Sequence, residues 1–144
     1  MADRSATQKA LQIARVLHAA FLLAAVIYII VPLLVVSRSI KPPDSIVPLA
    51  LGLALLPPLG LAAFYRSRIV KPASEALRAN PDDGAAAGRW RQGVVVSLVC
   101  SESIVLFGLA LRFIGVSWNL CTIFYTLGIF LMLAWTPKLE LPAA

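Results

Sequence analysis

Long apolar stretches separated by short polar ones organise this chain. The apolar stretches cover residues 16–36, 46–65, 93–113 and 116–135. Runs of at least ~18 apolar residues read as membrane spans, because a helix rising ~1.5 Å per residue needs about that many to cross ~30 Å of hydrocarbon. With their flanking helical residues, spans are predicted at about 10–36, 46–65, 92–113 and 116–136, with one polar loop at 66–91. The fold class this predicts is all-α: a transmembrane four-helix bundle made of two hairpins, a single integral membrane domain over residues 1–144.

Local signals refine each element. The residues before span one lack Gly and Pro, so its helix is expected to start near Ser5 or Thr7 and to run unbroken into the apolar stretch, with Pro32 near the far end. That apolar run is longer than a ~7–15-residue signal core and no small-x-small site follows it, so it reads as an uncleaved span. Residues 37–44 form a proline-rich connection, with Asp44 or Ser45 as N-cap of span two. Pro57 and Pro58 at the centre of span two remove two backbone donors and predict a kink. In the polar loop, Pro72 opens a short helix over 73–79 and residues 80–84 carry a strong turn signal; residues 85–90 then lead into span three with Trp90 at an interface. Residues 114–117 are too few for anything but a tight antiparallel hairpin between spans three and four, and Trp118 and Trp135 bracket span four as interfacial aromatics do.

Composition and charge set the orientation. Of the residues, 60% are hydrophobic and 14% charged, well short of the ~25% charged of a soluble domain. The net charge is +6, from 13 basic and 7 acidic residues, and the basic ones are unevenly placed: ten lie before span one, in the 66–91 loop and after span four, and only three (Arg38, Lys41 and Arg112) on the other side. The positive-inside rule then puts both termini and the loop in the cytoplasm, where the basic residues would meet anionic lipid headgroups. Nucleic-acid binding is not expected, because no aromatic or Gly-rich RNA-binding pattern accompanies the charge. Cys100 and Cys121 lie at depths differing by ~10 Å, which excludes a bridge within one bundle and makes them packed thiols.

Candidate chemistry narrows to one acid. Glu102 lies eleven residues from Arg91 and ten from Arg112, close to the midplane of span three, in a stretch with no other charge. Hydrocarbon disfavours a bare carboxylate, so a group there needs a cation or hydrogen-bond donors. Ser97, Ser101 and Ser103 can bond the carboxyl or their own backbone. If helices one and three are neighbours, depth counted from Lys9 and Arg91 makes His18 the candidate polar partner, with Arg15 in support. A lone histidine with no second ligand at suitable spacing is no metal site, and no cofactor is implied. Thr122 and Thr126, with Asn119 beside them, form a small polar stripe suited to helix packing. No nucleophile–base pair, phosphate-cradling loop or Cys-x-x-Cys pair is present, so no catalytic residue is assigned and an enzyme is not expected.

The spacing Glu102, Phe107, Gly108, Leu109 resembles the ion-binding helix of rotary-ATPase proteolipids, where a glutamate precedes an aromatic-Gly-Leu at the same distance. The resemblance covers about ten residues, and the chain departs from it in lacking a dense glycine repeat in spans one and two and in carrying a long basic loop. The whole plan is similar to uncharacterised small four-span bacterial membrane proteins with an acid in span three, which implies a multi-pass protein of the bacterial inner (plasma) membrane. The leading expectation is a non-catalytic accessory or assembly subunit, packing with other membrane subunits or with itself. The alternative is proton or cation translocation through Glu102; an enzyme acting on a lipid or quinone would need a polar cluster that is not found.

Overall fold

The computed structural model describes residues 6–35 and 46–138, so the proline-rich connection and the Asp44 and Ser45 caps lie outside the described residues. Among the described residues the chain is helical with no strand. Helix α1 spans Ala6–Val35, α2 Ile46–Leu53, α3 Leu56–Tyr65, α4 Lys71–Ala79, α5 Gly84–Phe113 and α6 Trp118–Ala134, and a π-helical turn over Arg66–Val70 joins α3 to α4. Helices α1 and α5 are each long and apolar enough to cross a membrane, and α6 is a shorter apolar helix of 17 residues.

The element predicted at 46–65 is two helices, not one. Pro57 and Pro58 have no N–H to offer the carbonyls of Leu53 and Ala54, so the hydrogen-bond ladder breaks there. The chain turns at Ala54 and Leu55 before α3 starts with these prolines in its first turn. The predicted loop at 66–91 is also mostly helix. The π-helical turn carries α3 directly into α4, and non-helical backbone is confined to residues 80–83. There Asn80 Oδ1 accepts from the Asp82 N–H at 3.2 Å, and Asp83 caps α5 by accepting from the Ala86 N–H at 2.9 Å. Helix α5 thus begins at Gly84, two turns before the expected start of span three.

Helix α5 is the centre of the fold. It packs against α1, α3, α4, the π-helical turn and α6, and half of its apolar stretch is buried, against 11% for α1. Near its start, Trp90 and Leu98 close a core with Ala10 and Ala14 of α1 and Leu77 of α4. Trp90 is only 1% exposed, so it is a core residue and not the interfacial aromatic expected of it; α4 folds over the extra two turns of α5 and encloses it. Towards the other end, Val105 and Leu111 pack with Ala25 of α1 and with Phe124 and Met132 of α6, and Phe21 touches both cores. Cys100 and Cys121 are both buried and free.

The α5–α6 hairpin is tight, as its four-residue connection requires. Gly115 adopts φ 91°, its N–H bonds the Arg112 carbonyl at 3.2 Å, and the Val116 N–H bonds the Leu111 carbonyl at 3.0 Å. This is a Schellman ending, which needs a residue free to turn left-handed. Close approach of the two helices rests on Gly108, against the Tyr125 ring, and on Gly128, against Val105. A Cβ at Gly128 would lie 2.5 Å from Val105 Cγ2 and 2.9 Å from the Ser101 carbonyl oxygen, a backbone atom that cannot swing aside. Gly128→Ala is therefore expected to cost about 1–3 kcal/mol by overpacking, whereas Gly60→Ala, which meets nothing within 4 Å, should leave stability unchanged or slightly raised. Denaturant or thermal unfolding in detergent compares the two, and equal stabilities would show that the hairpin does not depend on this contact.

Candidate functional site

The site forms where α1 crosses the middle of α5. These helices run parallel: the Thr7 side chain and N–H donate to the Pro81 carbonyl just before α5, and the Tyr28 hydroxyl donates to Glu102 Oε1. Near the start of α5, Ala6, Ala10 and Ile13 of α1 border one hollow with Gly84, Gly88 and Arg91.

This packing places the predicted partners differently from the count made on charges. The acid does face α1, but its partner there is Tyr28. His18 lies ten residues, ~15 Å along α1, from Tyr28, and its Nδ1 is buried with no hydrogen-bond partner. Arg15 is exposed beside Gln8, Gln12 and Val16 on the outer side of α1. Neither His18 nor Arg15 is brought to Glu102. The miscount has a physical cause: Lys9 and Arg91 do border one hollow, but long basic side chains reach well beyond their own backbone level, so they do not fix how the two helices are set against each other.

The hydroxyls around Glu102 are committed to their own helix. Ser97 donates to the Gly93 carbonyl, Ser101 to Ser97 and Ser103 to Val99, each at 2.9 Å. Ser101, 0% exposed, satisfies itself this way without touching the carboxyl. The Tyr28–Glu102 bond at 3.3 Å is longer than the ~2.5–3.0 Å usual for O–H···O, so it is a weak tie. Its signal was present in the sequence: Tyr28 is the tyrosine of span one, an apolar ring with a polar tip.

Two arginines mark the ends of this region. Arg112 donates from Nη1 to the Val116 carbonyl at 3.3 Å and lies 5.7 Å from the Trp118 ring centre. Arg66 lies 5.3 Å from the Trp135 ring centre, tying the end of α3 to the end of α6. Burial lowers the Arg66 pKa from its ordinary value, although a guanidinium keeps its charge at neutral pH. The predicted polar stripe on α6 does not pack inward: Asn119, Thr122 and Thr126 are exposed, and the packing face is Cys121, Phe124, Tyr125, Gly128 and Met132. Thr122 donates to the Trp118 carbonyl at 2.9 Å, and with Thr126 it borders a cavity of about 420 Å³ shared with Ile29 of α1. Among the described residues no group of three His, Cys, Asp or Glu side chains converges to hold a metal ion.

Comparison with family models, with curated proteins and with solved structures finds no match for the chain.

A double-mutant cycle tests the assignment of the partner. Tyr28→Phe combined with Glu102→Gln should show a coupling of about 0.6 kcal/mol, the size of an average interhelical hydrogen bond in a membrane, and His18→Gln with Glu102→Gln should show none. Coupling to His18 instead of Tyr28 would reverse the assignment.

Proposed function

We propose that the chain is a multi-pass protein of the bacterial inner membrane, with both termini cytoplasmic, that acts without catalysis as an accessory or assembly subunit of a larger membrane complex or homo-oligomer. The observation that carries the membrane part is the bareness of α1: its apolar stretch is 11% buried, with Leu23, Ile30, Leu33 and Leu34 among many large apolar side chains exposed. Water would not tolerate so continuous a surface, and hydrocarbon supplies the missing solvent. Arg91 and Arg112 on α5 are 21 residues apart, ~32 Å along the axis, which suits a hydrocarbon layer of ~30 Å.

The polar chemistry supports a structural use of Glu102. Its carboxyl meets a hydroxyl on the neighbouring helix, and the serines beside it are spent on backbone carbonyls. A relay would need donors and acceptors handing a proton towards a surface, and among the described residues the carboxyl bonds one tyrosine. Hydrogen-bond glue between α1 and α5 accounts for the same residues. The outward stripe of Asn119, Thr122 and Thr126 favours a further helix, from another subunit or a second copy, against α6.

Two experiments test the reading. For topology, Asn80→Cys and Ser39→Cys, each in a background without native thiols, are expected to be labelled from the cytoplasmic and outer sides respectively. Labelling of the Asn80 position by an impermeant reagent in intact cells would invert the orientation. For function, Glu102→Gln keeps the size and hydrogen bonding of the acid and should assemble with a loss of about 1 kcal/mol or less, while Glu102→Leu leaves Tyr28 unpaired and should be worse. A Gln variant that assembles normally but abolishes a proton- or cation-coupled activity would replace this reading with translocation.

A further inference from the structure

Arg68 lies in the π-helical turn and Arg89 in the first turns of α5, 21 residues apart in the chain, and the fold sets both on the wall of one cavity of about 510 Å³. Ile69, Pro72 and Ala73 line it with apolar surface, and Gln92 adds an amide. No carboxylate lines this cavity among the described residues. Both arginines and Gln92 are exposed, and among the described residues neither guanidinium has a hydrogen-bond or ion-pair partner. Two unpaired cations around one hollow repel each other until an anion enters, and guanidinium forks with an amide donor match the oxygens of a phosphate. The volume falls within the ~300–1,000 Å³ of small-molecule sites.

The position of the cavity decides between sources of phosphate. Gly93 receives Val70 and Ile69 so closely that a Cβ there would lie 2.6 Å from Val70 Cγ2, which fixes the π-helical turn against α5 at the level of Gly93. Arg91, which shares a hollow with Lys9 of α1, and Arg66 over Trp135 lie at this same end of the fold, where the apolar surface gives way to basic side chains. On the membrane reading, on which this inference rests, that level is the cytoplasmic headgroup layer. We infer that Arg68, Arg89 and Gln92 form a binding site for the headgroup phosphate of an anionic phospholipid from the cytoplasmic leaflet. The apolar wall of Ile69 and Pro72 faces the glycerol end of the lipid, and the absence of a carboxylate disfavours zwitterionic lipids, whose ammonium would find no partner.

Native mass spectrometry of the full chain in mild detergent, titrated with phosphatidylglycerol or phosphatidylcholine, tests this. Phosphatidylglycerol is expected to bind more tightly by about tenfold. Diffuse attraction near a basic surface is worth roughly fivefold per charge, so a built site requires more: Arg68→Gln or Arg89→Gln should each weaken phosphatidylglycerol by over about tenfold. Lys71→Gln, which removes a neighbouring charge outside the cavity, should cost about fivefold or less. Equal losses from Lys71→Gln and the arginine variants would overturn the site, as would equal affinity for the two lipids. Displacement of the lipid by millimolar inorganic phosphate would assign the site to free phosphate and overturn the lipid source. Alkaline carbonate extraction of the same chain from membranes reads the membrane assignment separately: release into the supernatant sinks that reading, whereas retention with no selective binding sinks this site alone.

Discussion

The parallel packing of α1 on α5 governs the rest of the structure. Thr7 on Pro81 at one end and Tyr28 on Glu102 at the other hold the two helices side by side. Parallel neighbours cannot be joined by a short turn, so the chain must return between them, and α2, α3, the π-helical turn and α4 make that return. This packing also determines which polar groups meet. A slip by one helical turn would carry Glu102 ~5 Å from Tyr28 and leave the carboxyl facing apolar side chains.

Close packing around α5 depends on small residues at a few contacts. Gly93 admits Val70, Gly108 admits the Tyr125 ring, and Gly128 lets α6 approach the Ser101 carbonyl and Val105. Ala10 and Ala14 do the same for α1 at the Trp90 end. These contacts give a physical reason for Gly108 in the Glu-x4-Phe-Gly-Leu spacing: in this chain the glycine makes room for a tyrosine of the adjoining hairpin helix. Small-residue contacts suit a fold whose outward faces are apolar, because helices there gain association from packing and hydrogen bonds more than from hiding apolar surface.

Polar groups are used economically. Ser97, Ser101, Ser103 and Thr122 satisfy themselves on carbonyls of the preceding turn, which leaves Glu102 and Tyr28 as the polar contact between α1 and α5 at mid-helix. The cations sit at the ends of the apolar region, two of them over tryptophan rings. Cation–π contacts of this kind hold a guanidinium at the edge of an apolar layer.

The apolar runs by themselves determined the helical class, and nearly every local break was legible. Pro57 and Pro58 interrupt a helix because two donors are missing, Asn80 to Asp83 turns because Asx side chains bond nearby backbone, and Gly115 ends α5 because it can turn left-handed. Even the earlier start of α5 had a sequence signal in Asp83 before a run of alanines. Periodicity could not settle which side chain meets Glu102, because depth counted from charges presumes that every basic residue marks the same level. Only the tertiary packing of α1 against α5 placed Tyr28 on the acid, left His18 and Arg15 elsewhere and enclosed Trp90. The same long-range packing put Arg68 and Arg89 on one cavity: contacts between residues far apart in sequence follow from how helices seat on one another, which no local pattern encodes.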